Sequence, residues 1–225
     1  MTTANMTTLC TGAHTGTHQV PALAFYDKVN DRRVRFLQNY DVATVGEMFG
    51  SQGLLVGAIK QRKLQNRGAD LFAEGGEIAE TASQAVQMIL HEDPDLMVVL
   101  FNETDSTAHK YGTSGPQIQA VVEQIDDALG QILDAYRQRG HAEALNVVLV
   151  GDHGMTEVHT NLTSTLSDVL DAVGIPYENA AVNIGPFRED TKLVYNLASG
   201  SAEIYFRKPL TQAEYDALIA GLEGI

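Results

Sequence analysis

The chain has 225 residues, 44% of them hydrophobic and 20% charged, enough apolar material for a buried core. Its formal charge of −14 and pI near 4.7 repel a nucleic-acid backbone and disfavour binding of a DNA or RNA duplex. No run approaches the roughly 20 apolar residues of a membrane span, no basic-then-apolar leader opens the sequence, and a single cysteine, Cys10, excludes an internal disulfide.

In chain order, the opening "TTANMTTLCTG" (2–12) accommodates a short helix, with Asn5 or an early threonine as cap and Gly12 as stop. A hydroxyl there would sit beside unpaired N–H groups at the positive end of the helix dipole, a ready phosphate site. The same residues read more simply as a frayed threonine-rich terminus. "LLVGAIK" (54–60), "LMVVLF" (96–101) and "NVVLVG" (146–151) have the length and apolar continuity of buried parallel strands. A helix over 77–92 leads into the second, broken by Asp93-Pro94. Between the second and third, Ile118, Val121, Val122, Ile125, Leu129, Ile132, Leu133 and Tyr136 form one helical stripe, with Pro116 at the start and Gly140 as stop. Strand, crossover helix and strand make a right-handed unit whose loops open on one sheet edge, where α/β folds bind ligands. The fold class expected is therefore α/β, a mainly parallel sheet flanked by helices.

After about residue 175 the texture changes. "KLVYNLASGSAEIYFRK" predicts a hairpin about "ASGS", and "LTQAEYDALIAGLEG" a helix capped by Thr211 with Glu214 at capping-box spacing. Residues 1–174 are thus expected to form the core and 175–225 an α+β insert of the same domain.

Chemistry gathers at the two strand exits. Asp105 and His109 are one helical turn apart; Asp152 and His153 follow the third expected strand directly. Carboxylate with imidazole suits Zn²⁺ or a similar first-row ion. Either pair alone reads as an ordinary loop or turn. Both at the ends of strands joined by one crossover raise the metal reading to even terms. A flavodoxin-like acidic Mg²⁺ domain shares the βα texture but has no use for the two histidines.

Three stretches, "TTANMTTLCTGAHTGTH" (2–18), "DSTAHKYG" (105–112) and "GDHGMTEV" (151–158), resemble in sequence and spacing the alkaline-phosphatase superfamily. Within it they are most similar to the type I phosphodiesterase/nucleotide pyrophosphatase family. The resemblance implies an alkaline-phosphatase-like core and a hydrolase of phosphodiester or pyrophosphate bonds in nucleotides or small phosphate esters. It implies two Zn²⁺ ions and a phospho-threonine intermediate. Thr2 falls at the nucleophile and metal-ligand position, Asn5 at the phosphate contact, and Asp105, His109, Asp152 and His153 at metal positions. The alternatives are a phosphomonoesterase or phosphonate hydrolase of the same superfamily, or a degenerate, non-catalytic metal- or phosphate-binding domain. Thr3 and Ala4 stand where the family has aromatic-Pro, and Gln19 where it has Gly after His18. An Asp upstream of the nucleophile and a C-terminal His have no counterpart, and His159 lies too close to Asp152 and His153 to replace the latter. The sequence is therefore expected to be a fragment of a longer protein. Relatives often act outside the cytoplasm.

Overall fold

The computed structural model describes residues 2–35, 40–157, 162–182, 185–198 and 201–223. Its elements run α1 (Thr2–Thr11), α2 (Thr15–His18), β1 (Ala24–Asp27), β2 (Arg32–Arg35), α3 (Val45–Gly50), β3 (Val56–Ile59), β4 (Leu71–Ala73), α4 (Ile78–Glu92), β5 (Leu96–Val99), α5 (Glu103–Tyr111), α6 (Pro116–Gln138), α7 (Leu162–Val173), β6 (Tyr177–Asn179), β7 (Leu193–Ala198), β8 (Ser201–Phe206) and α8 (Gln212–Leu222). They belong to two compact units, one of residues 1–5, 19–40 and 158–225, the other of residues 6–18 and 41–157.

The second unit is the α/β part: a parallel sheet of order β4-β3-β5 flanked by helices. Every residue of the central strand β3 is buried, as expected of a strand covered on both faces. The strand period of two divides its contacts. Ile59 points into a core with Ala85 and Ile89 of α4 and Ile132, Ala135 and Tyr136 of α6. Ala58 points the other way, toward Cys10 and Leu64. Cys10 is thus a small core residue, and burial pushes its thiol up to about 11, which removes it as a nucleophile. Helix α4 ends where expected, with Asp93 left-handed at φ 54° before Pro94. Helix α6 has Pro116 in its first turn. Its apolar stripe is covered only in part: Ile132 and Tyr136 are buried, whereas Val122 is half exposed.

The third expected strand is not formed. Residues 146–151 adopt no regular element and pair with no strand among the described residues, and Val148 is 86% exposed, with Val147, Leu149 and Val150 also exposed. A parallel strand is held by its neighbours' N–H and C=O groups. Without a ladder, apolar continuity alone does not make a strand.

The first unit contains a three-stranded sheet, β6 parallel to β7 and β7 antiparallel to β8, as well as the β1–β2 hairpin. Leu193 and Tyr195 of β7 pack with Leu166 and Leu170 of α7 and Leu218 of α8. Val194, on the opposite face, packs with Tyr26 of β1, Ala180 and Phe187. The expected hairpin is present, although its turn residues 199–200 lie outside the described residues. Helix α8 starts in the expected capping box, Thr211 Oγ1 accepting from the Glu214 N–H while Glu214 accepts from the Thr211 N–H. No described helix is long and apolar enough to cross a membrane.

Candidate metal centre

The sheet places the first pair. Leu100, just past β5, donates its N–H to the Ile59 carbonyl at 3.1 Å and keeps the chain on the sheet edge. Three residues later α5 begins. Its length is set by the turn at Gly112, whose N–H bonds Ala108 O and whose φ of 88° favours glycine. On α5 Asp105 and His109 lie at i and i+4, hence on one face, with Asp105 Oδ1 3.6 Å from His109 Nε2. The second pair lies on the irregular segment after residue 151. His153 Nε2 lies 3.8 Å from Asp105 Oδ1 and 3.6 Å from Asp152 Oδ2. The His153 Nδ1 sits 3.0 Å from the Gly154 carbonyl, which favours a proton on Nδ1 and leaves Nε2 as the acceptor nitrogen.

Four ligand-type side chains therefore form a continuous series, His109, Asp105, His153, Asp152. Two donors on one tetrahedral zinc with bonds of about 2.0–2.1 Å are separated by about 3.3–3.5 Å. The observed 3.6–3.8 Å is only slightly wider, and the donor chemistry fits the ion. Among the described residues no three such groups close around one point, so the fit is pairwise.

Thr2 and Asn5 lie on α1, in the first unit, whereas the four ligand candidates lie in the second. Thr2 is the first helical residue; Asn5 is inside the helix and is not its cap, because helical geometry begins three residues before it. Gly12 ends α1 as expected, with φ 67° and its N–H on Thr8 O. His18 is buried, with Nε2 3.0 Å from Thr8 Oγ1; burial, then the charges of Lys63 and His14, lower its pKa and favour the neutral ring. Gln19 has φ 57°, the left-handed region that suits the glycine the family pattern carries after that histidine. His159 lies outside the described residues.

Sequence comparison assigns the chain. A family model described as "Type I phosphodiesterase / nucleotide pyrophosphatase" matches residues 70–220, about two thirds of the sequence. The chain belongs to that family. It is 35% identical over 74 residues to mouse ectonucleotide pyrophosphatase/phosphodiesterase family member 7, covering 33% of this chain and 17% of the relative. It is 31% identical over 94 residues to a venom phosphodiesterase of Macrovipera lebetinus, covering 41% of this chain and 11% of the relative. The chain thus matches less than a fifth of either relative's length. The fold resembles that of murine ectonucleotide pyrophosphatase/phosphodiesterase 5, with a TM-score of 0.67 at 18% identity over 97% of this chain and 58% of that one. An inactive threonine-to-alanine variant of the same murine protein, solved with AMP, matches with a TM-score of 0.51 at 17% identity, covering 63% and 42% of the two chains.

Sequence reasoning missed Lys60 and Glu103, whose part-buried ion pair brings a lysine to within two residues of Asp105 along the chain. No motif announces it, since the partners are 43 residues apart.

Proposed function

We propose that this chain carries catalytic residues of a zinc-dependent hydrolase of phosphodiester or pyrophosphate bonds, acting on nucleotides or small phosphate esters through a phospho-threonine intermediate. The observation that carries the reading is the series His109, Asp105, His153, Asp152, with successive nitrogen–oxygen separations of 3.6–3.8 Å. Asp105 and His109 would hold one zinc, and Asp152 and His153 a second. Bound there, such ions would supply Lewis-acid stabilisation of phosphoryl oxygens and would lower the pKa of a coordinated hydroxyl. Thr2, at the start of α1, presents the attacking hydroxyl where helix N–H groups and the dipole favour an anion. Asn5 has an amide NH₂ suited to a non-bridging phosphate oxygen, where charge grows during in-line displacement. The inactive threonine-to-alanine variant of the murine relative, crystallised with AMP, supports both a threonine nucleophile and a nucleotide substrate.

The test is hydrolysis of thymidine p-nitrophenyl monophosphate against p-nitrophenyl phosphate, with Zn²⁺ added, by the protein and by Thr2→Ala. Faster diester cleavage that disappears in Thr2→Ala is expected. Faster monoester cleavage sinks the diesterase assignment, and activity surviving in Thr2→Ala sinks the nucleophile. A non-catalytic metal-binding domain is the second reading, since the donor contacts observed are pairwise. It requires zinc uptake with no turnover of either substrate.

A further inference from the structure

Helix α5 carries two of the four ligand candidates, yet it has no buried residue and its N-cap, Asn102, makes no side-chain capping bond. Apolar packing and capping, the usual means of fixing a helix end, are both weak here. What holds its first turn is polar. Glu103, the first residue of α5, accepts at Oε1 from Lys60 Nζ at 2.8 Å; the two side chains are only 12% and 18% exposed. The other carboxylate oxygen of Glu103 is buried with no hydrogen-bond partner among the described residues, so the lysine is the main compensation of that charge.

Lys60 is itself fixed from several sides. It follows β3, the central strand, and its N–H bonds Ala73 O at the end of β4. Its φ of 60° is a left-handed conformation that an L side chain adopts at a cost, and it turns the chain out of the sheet. Its ammonium also donates to Gly76 O at 2.6 Å, a carbonyl that accepts from the buried Thr81 hydroxyl of α4 as well. The lysine stem lies over Gly75, where a Cβ would come within 2.4 Å of Cγ and 2.6 Å of Cδ. Lys60 therefore links the exit of β3, the glycine turn before α4 and the start of α5.

We propose that Lys60 is a positioning residue of the metal site: by holding Glu103 it fixes the angle at which α5 delivers Asp105 and His109. The inference rests on the reading of those two side chains as zinc ligands. A partner one step behind a ligand set tunes affinity by ordering it, because a misplaced donor must be reordered when the ion binds.

The experiment combines hydrogen exchange by mass spectrometry with Zn²⁺ titration, on the chain, Lys60→Met and Lys60→Arg. In Lys60→Met the amides of residues 106–112 are expected to exchange at least tenfold faster, while those of β3 and α4 keep their protection. Zinc affinity is expected to fall about tenfold. Lys60→Arg, which keeps a cation within reach of Glu103, restores both readouts to within a few-fold. Unchanged zinc affinity in Lys60→Met overturns the proposal, whether or not α5 loosens, since the pair is then structural only. If the unsubstituted chain takes up no zinc, the metal reading beneath the proposal has failed, a result distinct from equal binding by both proteins. Should Lys60→Met unfold as a whole, visible as lost protection in α4, Glu103→Gln keeps an acceptor for the lysine without the charge. That variant is read by the same two measurements.

Discussion

Two carboxylates, one in each compact unit, have opposite surroundings. Glu178 of β6 is 8% exposed and accepts from the Thr191 hydroxyl at 2.6 Å, the Arg188 N–H at 2.7 Å and the Arg33 guanidinium. Burial alone would raise its pKa; these three donors outweigh burial and hold it at about 2. Arg33 in turn lies 4.0 Å over the Phe187 ring. Asp105 is 44% exposed at its side chain, and its nearest ionic partners are imidazole nitrogens at 3.6 and 3.8 Å, beyond hydrogen-bond length. The first carboxylate has its lone pairs filled by protein donors and serves the fold. The second faces groups that, like itself, are electron-pair donors, which is the arrangement the proposed zinc would use. Accessibility together with the kind of neighbour separates the two roles; acidity of sequence does not.

The largest effect that tests this contrast is Arg33→Met. It strips a buried charge of its partner and should cost about 3–5 kcal/mol in urea unfolding. A loss below about 1 kcal/mol breaks the structural half of the comparison. Next comes acid. Because the folded-state pKa of Glu178 is depressed from an ordinary 4.5 to about 2, its contribution to stability is fully present above pH 4.5 and is lost as pH falls toward 2. The melting temperature should fall across that window and fall less in Glu178→Gln, as followed by circular dichroism; parallel curves refute it. Asp105→Asn should weaken Zn²⁺ binding at least tenfold, about 1.4 kcal/mol, while changing unfolding free energy by under about 0.5 kcal/mol. Calorimetric titration and denaturant curves on one sample decide this, and a large stability loss would make Asp105 structural too. Smallest is Val148→Lys, expected within about 0.5 kcal/mol of the parent protein because the side chain already meets water. A loss of several kcal/mol there would mean the segment is buried after all.

Much of the fold was legible because its signals are local. The stripe on α6, the break at Asp93-Pro94 and the Thr211–Glu214 box each reside within a few turns of chain. Asp105 and His109 share that property, since i and i+4 meet in any helix. Long-range pairing was not legible. Strand β2 reads Arg-Arg-Val-Arg, with no apolar alternation, and Arg33 is buried only because Glu178 answers it 145 residues later. Strand β4 is three residues long and exists by pairing with β3. The converse error, a strand expected at 146–151, has the same origin: composition announces a candidate, and a neighbour's backbone decides.

The uncovered stretch Val147–Val150 also bears on how the protein behaves in solution. At neutral pH fourteen excess negative charges keep molecules apart, but close to pH 4.7 that repulsion vanishes. Four adjacent aliphatic side chains on an unladdered backbone are then a seed for cross-chain β-pairing, and turbidity should rise there before the fold itself gives way.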